Sequence, residues 1–213
     1  MAAQRHQEEI RRPVGTEKCD RAIAAFPEAG TSSTGGRDME YVINREEIDA
    51  RAALIVDILT EKKWTISFAE SCTAGLAAAH LVDIPSASNV FNSSFVTYSN
   101  EAKEKYLGVS AETIAEKGVV SEEVAVQMPI GTARANGAQV GVGITGIAGP
   151  TGGTETKPVG MVCFGFTIDG RTMSATKQFG EIGRDAVRIA SVEYVYSFLA
   201  TMLSRLTGMK FEI

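Results

Sequence analysis

At 213 residues, 44% hydrophobic and 22% charged, the chain has the size and composition of one well-buried domain and is short for two. Its net charge of −5 supplies no general attraction to nucleic acid or to an anionic membrane, and leaves only a local cationic pocket as a phosphate site. The three cysteines, Cys19, Cys72 and Cys163, form no CxxC pair, which argues against a disulfide framework or structural zinc and fits a reducing cytosol.

Residues 1–38 read as a flexible extension. "GTSSTGGRD" (30–38) has nothing to bury, and the stretch before it offers only the short apolar patch "AIAAF". The first residues have no hydrophobic signal core, and no apolar stretch approaches the roughly 20 residues of a bilayer span. The expected setting is cytoplasmic, with neither membrane nor nucleic acid as partner. Met39 opens the periodic part and stands as an alternative start, so the folded domain is expected over 39–213.

"NREEIDARAALIVDILTEKK" places Asn44 at a cap, acids in the first turn, and apolar residues at helical spacing through Ile48, Ala52, Ile55 and Leu59. "WTISFA" (64–69) predicts a short strand and "TAGLAAAHLVD" (73–83) a helix that Pro85 breaks. "NVFNSSFVTYS" (89–99), β-branched and aromatic, reads as a strand. "NEAKEKYLG" reads as a short helix capped around Ser99 and Asn100 and stopped at Gly108; Ser110 and Ser121 cap two more. "AQVGVGITG" (138–146) is apolar enough for a strand buried on both faces. After the loop "GIAGPTGGTETKP", the segments "VGMVCFGFTI" and "TMSATKQF" joined by "DGR" predict a hairpin, and an amphipathic helix over about 184–205 closes the chain. The expected fold class is α/β: a single three-layer α/β/α domain with a mixed β-sheet and no internal repeat.

Histidine filters the chemistry. There are two, His6 in the extension and His80, and at roughly 100° per residue Ser71 and His80 point to opposite sides of a continuous helix. That disfavours a Ser-His-Asp triad and, with so few ligands, a catalytic zinc; neither a metal site nor a cofactor is expected. His80 reads as a surface or half-buried helix residue. The strand–"ESCTAG"–helix junction lies where ligands bind in α/β sheets, and unpaired N–H groups there would attract a phosphate or an oxyanion. Gly75 and the small Ala74 keep that turn open. Two readings stand for its polar residues: Ser71 or Thr73 as a plain N-cap, or Ser71 as a nucleophile. Cys72 is either a nucleophile or a buried, inert thiol.

"FVTYSNEAKEK" (95–105) brings Tyr98 and Lys103 together, each a general base once its pKa falls; the plain alternative is a solvated lysine. "GITGIAGPTGGTETKPVG" (143–160), opening with Thr145 and Gly146, can expose backbone donors to an anion but fits neither a GxxxxGK[ST] nor a GxGxxG pattern. Arg184, near the start of the last helix, is a phosphate contact or a surface arginine.

The motifs "AESCTAG", "FVTYSNEAK", "VSEEV", "TGIAGPTGG", "KPVG" and "GRDAVR", in that order from about residue 45 to 205, closely resemble the CinA C-terminal-domain family. Characterised members include nicotinamide-nucleotide amidase. The resemblance therefore implies hydrolysis of the carboxamide of nicotinamide mononucleotide to nicotinate mononucleotide and ammonia, and a homodimer. Ser71 matches the nucleophile of the family's ESCT motif. Lys103 matches the lysine of YSNEAK, the implied base, with Tyr98 beside it. Thr145 and Arg184 match substrate-site residues, and the backbone of Cys72, Thr73, Gly75 and Gly146 completes the implied binding site. The chain departs from the family at Ala74, usually glycine, at Ser94, often glycine, and in "FGEIG", longer than the common "FPGD". Two other readings compete: a non-catalytic nucleotide- or protein-binding module, and a serine hydrolase for another small amide or phosphate ester.

Overall fold

The computed structural model describes residues 44–208; the expectations for the 1–38 extension, with His6 and Cys19, and for Met39 lie outside the described residues. Helix α1 (Arg45–Lys62) starts where Asn44 accepts a hydrogen bond from the Glu47 N–H and stops at left-handed Lys63. Strand β1 (Ile66–Glu70) leads through a turn to the short helix α2 (Leu76–Val82). Strand β2 (Phe95–Val96) precedes α3 (Asn100–Ala102), capped by Ser99, which runs directly into a wider π-type turn over Lys103–Leu107. Helices α4 (Ala111–Lys117) and α5 (Glu122–Asn136) are capped by the Ser110 and Ser121 hydroxyls. Strands β3 (Val140–Gly146), β4 (Met161–Ile168) and β5 (Arg171–Gln178) follow, then helix α6 (Arg184–Thr207).

The sheet order is β2-β1-β3-β4-β5, parallel across β2-β1-β3 and antiparallel across β3-β4-β5. It is the expected mixed sheet. The turn between β4 and β5 places Asp169 and Gly170 at φ 49 and 78, the left-handed pair that a two-residue hairpin with native twist requires. One sheet face buries Val140, Val142, Ile144, Phe164 and Phe166 beneath α1, α2 and α6, with Phe166 stacked on Phe198 at 4.0 Å between ring centres. The other face, with Ala69 and Cys163, is covered by α5 and its neighbours.

Three expectations change. The strand over 89–99 shrinks to Phe95–Val96, plus a bridge at Phe91, because Ala87–Asn89 forms a 3-10 turn and the Ser93 carbonyl accepts from the Ser67 hydroxyl at 2.8 Å instead of from a strand. The helix expected from residue 73 begins only at Leu76. And α6 has the length and composition of a membrane-crossing helix, against the reading that no stretch approaches one; here Val187, Val195, Leu199 and Leu203 on it are buried in the core.

Helix α5 lies unusually close to the sheet. A Cβ built on Gly165 would sit 1.7 Å from the Ala125 carbonyl oxygen, and one on Gly141 would sit 2.3 Å from that of Pro129. Only a bare backbone admits this approach, and Pro129, having no N–H to give the Ala125 carbonyl, helps turn that oxygen toward the strand. Gly165→Ala therefore has to push the helix off the sheet. Its expected cost is about 1–3 kcal/mol, read as a lowered denaturation midpoint with the slope of the transition unchanged.

Candidate active site

Strands β1, β2 and β3 are parallel, so their carboxyl ends lie along one edge, and each is followed by a candidate residue: Ser71 after β1, Tyr98 and Lys103 after β2, Thr145 closing β3. Register locks two of them together, because the Ser71 N–H donates to the Ile144 carbonyl at 3.0 Å.

The turn after β1 is organised by a residue outside the candidate set. Glu70 is fully buried; one carboxylate oxygen accepts from the N–H groups of Gly75 at 2.9 Å and Ala77 at 3.1 Å, the other from Ala78 at 2.9 Å. The cap of α2 is therefore Glu70, not Ser71 or Thr73, and those helix N–H groups are not open to a phosphate. With the carboxylate reaching past the turn to the helix, residues 71–75 form a loop in which Cys72 and Thr73 stay buried and only Ala74 is exposed, and Ala74 and Gly75 take left-handed φ values of 51 and 94. The Ala74 N–H closes the loop on the Ser71 carbonyl at 3.1 Å. The Cys72 thiol is buried at 5% exposure, within electrostatic reach of Glu70 and Lys103. Burial pushes that thiol up to about 12, which favours the buried, inert reading of Cys72 over the nucleophile.

Ser71 is half-buried and its hydroxyl meets Lys103. The Lys103 Nζ lies 3.1 Å from Ser71 Oγ, 2.7 Å from the Thr97 carbonyl and 3.4 Å from the Tyr98 carbonyl. Lys103 is 1% exposed, and among the described residues it forms no ion pair. Desolvation brings its pKa down to about 8, with the nearby Cys72 acting weakly the other way. This is the reverse of the solvated lysine that its place early in a helix suggests; the π-type turn that starts at Lys103 swings it inward. A neutral amine has two N–H bonds and one lone pair. Two carbonyls and one hydroxyl are the matching partners.

Tyr98 is placed differently. The residue is 62% exposed, and its hydroxyl accepts from Arg184 Nη2 at 3.1 Å, while its main-chain carbonyl serves Lys103. Arg184 also donates to the Gly149 carbonyl at 2.8 Å, so it ties the glycine-rich loop to the segment after β2 from an exposed position. Thr145 is buried, with its hydroxyl given to the Val119 carbonyl at 2.9 Å. Gly146 is held tight: a Cβ there would meet Val162 Cγ2 at 2.7 Å. Gly75 has ordinary clearance, its virtual Cβ 3.6 Å from Val96. His80 faces Asp49 of α1, 4.0 Å from Nδ1 to Oδ1, and is no part of this cluster. No group of three or more potential metal-ligating side chains occurs among the described residues.

Two residues that the sequence reading passed over hold the site. Glu70 was visible as the odd acid ending a buried strand. Arg188, one turn beyond Arg184, donates from Nε to the Cys72 carbonyl and from Nη2 to the Thr73 carbonyl, both at 3.1 Å. It closes the "GRDAVR" motif, but its helical spacing does not separate it from an ordinary helix-surface arginine.

An α/β domain with a hydroxyl and a buried, carboxylate-free amine in contact at the parallel edge is the class that fold and site define. The chain belongs to the CinA C-terminal-domain family, whose model matches residues 48–203. It is 47% identical over 137 residues to the nicotinamide-nucleotide amidohydrolase PncC of Enterobacter agglomerans, covering 64% of this chain and 83% of that protein. It is 41% identical over 163 residues to a CinA-like protein of Kosmotoga olearia, covering 76% of this chain and 39% of that longer relative. The chain thus spans about two-fifths of that relative's length. Among solved structures, the competence/damage inducible protein CihA of Agrobacterium tumefaciens superposes with a TM-score of 0.71 at 38% identity, covering 74% of this chain and 96% of that one.

Glu70→Gln would turn an NH2 group toward at least one of the three N–H donors. The expected loss is about 2 kcal/mol, a fall in melting temperature of roughly 4–8 °C, measured by circular dichroism.

Proposed function

We propose that the chain is an amidohydrolase that converts nicotinamide mononucleotide to nicotinate mononucleotide and ammonia, with Ser71 as nucleophile and Lys103 as base. The observation that carries the reading is the 3.1 Å contact between Lys103 Nζ and Ser71 Oγ at a lysine whose pKa burial brings down to about 8. The kinship to the Enterobacter amidohydrolase supplies the substrate.

An amide is a poor electrophile, so the serine has to be activated. Neutral Lys103 takes the Ser71 proton as Oγ bonds to the carboxamide carbon. The N–H groups of Cys72 and Thr73 are the donors for the oxyanion. The C–N bond then breaks, Lys103 returns the proton to the leaving nitrogen, and ammonia departs. Water attacks the acyl-enzyme with Lys103 again as base, releasing nicotinate mononucleotide and restoring the Ser71 hydroxyl. Lys103 keeps hydrogen bonds in both protonation states, because the Thr97 and Tyr98 carbonyls accept from either form. Tyr98 and Arg184 edge the site, and Arg184 is the candidate for the nucleotide phosphate once it leaves the Gly149 carbonyl. Thr145 and Gly146 shape the floor of the site. The reading includes a homodimer acting in the cytoplasm on a small nucleotide, without metal or organic cofactor.

Ammonia release from nicotinamide mononucleotide should disappear in Ser71→Ala, fall by roughly 10²–10⁴-fold in Lys103→Ala, and persist in EDTA. Absence of turnover by the folded wild type at saturating substrate would favour the binding module. Because only the neutral amine is a base, and roughly one molecule in ten carries it at pH 7, kcat/KM should rise with pH and level off above about 8. A rate independent of pH between 6 and 9 would remove Lys103 from the proton path.

A further inference from the structure

We propose that Arg188 is a positioning residue for this site, its guanidinium holding the two peptide planes that follow Ser71 and so aiming the Thr73 N–H at the reacting carbonyl. The proposal rests on the amidohydrolase reading for its consequence and on three observations for its geometry.

First, the fork is spent on main-chain carbonyls. Nε donates to the Cys72 oxygen and Nη2 to the Thr73 oxygen, each at 3.1 Å, and only Nη1 turns toward a carboxylate, Asp185 at 3.5 Å. The side chain is 25% exposed, so these bonds are mostly shielded from water. Secondly, in a trans peptide the C=O and the next N–H point in opposite directions across one rigid plane. Holding the Cys72 carbonyl therefore sets the Thr73 N–H. Holding the Thr73 carbonyl sets the Ala74 N–H, which closes the turn on the Ser71 carbonyl at 3.1 Å. A cation on the Cys72 oxygen also polarises that amide and makes its N–H a stronger donor. Thirdly, the turn resists its own shape. Ala74 sits at φ 51, a left-handed conformation that strains a residue with a Cβ, and a turn under that load needs an external brace to hold one geometry through a catalytic cycle. Arg188 reaches it from α6, which is anchored independently by Val187, Val195 and Leu199 in the core.

Arg188→Gln and Arg188→Lys test the proposal by two readouts. One is kcat and KM for ammonia release from nicotinamide mononucleotide. The other is the rate at which a fluorophosphonate modifies Ser71, followed by intact mass. In that reaction the Ser71 Oγ–P bond forms, the P–F bond breaks, fluoride leaves and the serine proton passes to Lys103, with the phosphoryl oxygen standing in for the oxyanion. Arg188→Gln is expected to lower kcat and the modification rate together by roughly 10–100-fold, with KM within twofold and the melting temperature within a few degrees. Arg188→Lys, one ammonium where two carbonyls need a fork, should fall between it and wild type. A folded Arg188→Gln with both rates within twofold of wild type, or with only KM changed, overturns the proposal. If Arg188→Gln does not fold, a folded Arg188→Lys with both rates at wild-type level does the same. A wild type that reacts with the phosphonate at Ser71 yet releases no ammonia would defeat the amidohydrolase reading alone, since the modification rates of the variants still decide the role of Arg188.

Discussion

The buried carboxylate of Glu70 is the interaction on which the site depends. A carboxylate withdrawn from water is tolerable only when its oxygens are filled, and here three backbone N–H groups of the following turn and helix fill them. Hydrogen bonds to a charged group contribute about 1.5–3 kcal/mol each, so the arrangement outweighs the strain of left-handed Ala74. The same bonds give acceptors to the N–H donors at the start of α2, which is too short to hold its own end without them. What is left for Ser71 is a half-buried place at the start of that turn, with the Cys72 and Thr73 side chains buried beside it.

Lys103 is the opposite case. Its charge is withdrawn from water and given carbonyls and a hydroxyl but no anion, so burial lowers the stability of the ammonium instead of supporting it. Glu70 and Lys103 thus reach one corner of the sheet under contrary rules: the acid's oxygens are filled by backbone donors, while the amine is pushed toward neutrality. Carboxylate oxygens already filled by the α2 donors are poor partners for a nearby ammonium. That separation leaves the amine in contact with Ser71 and not paired with Glu70.

The second layer of constraint comes from the sheet itself. Bare backbone at Gly141 and Gly165 lets α5 settle against β3 and β4, and the Thr145 hydroxyl ties the end of β3 to the Val119 carbonyl at the entry of α5. The carboxyl edge of β3 is therefore rigid where Ser71 is hydrogen-bonded to it. On the other side of the sheet, α6 brings Arg184 and Arg188, one turn apart, to two different segments of the site. One helix connects the glycine-rich loop, the tyrosine after β2 and the serine turn.

Local signals were enough for most of the fold. Ser110 and Ser121 as caps, Gly108 as a stop, the double-faced burial of β3 and the Asp-Gly hairpin all follow from preferences that act within a few residues, and the three-layer arrangement follows from their alternation. The motifs also placed Ser71 and Lys103 among the candidates, because nucleophile and base chemistry restricts residue type. Which groups meet was another matter. That Glu70 caps α2, that Lys103 turns inward on a π-type turn, that Tyr98 gives the cluster its carbonyl while its ring stays outside, and that Arg188 braces the serine turn are contacts between segments up to 116 residues apart. Sequence periodicity carries the direction of a side chain relative to its own helix or strand. Only packing decides what lies at the end of it, and how much water remains there to set its charge.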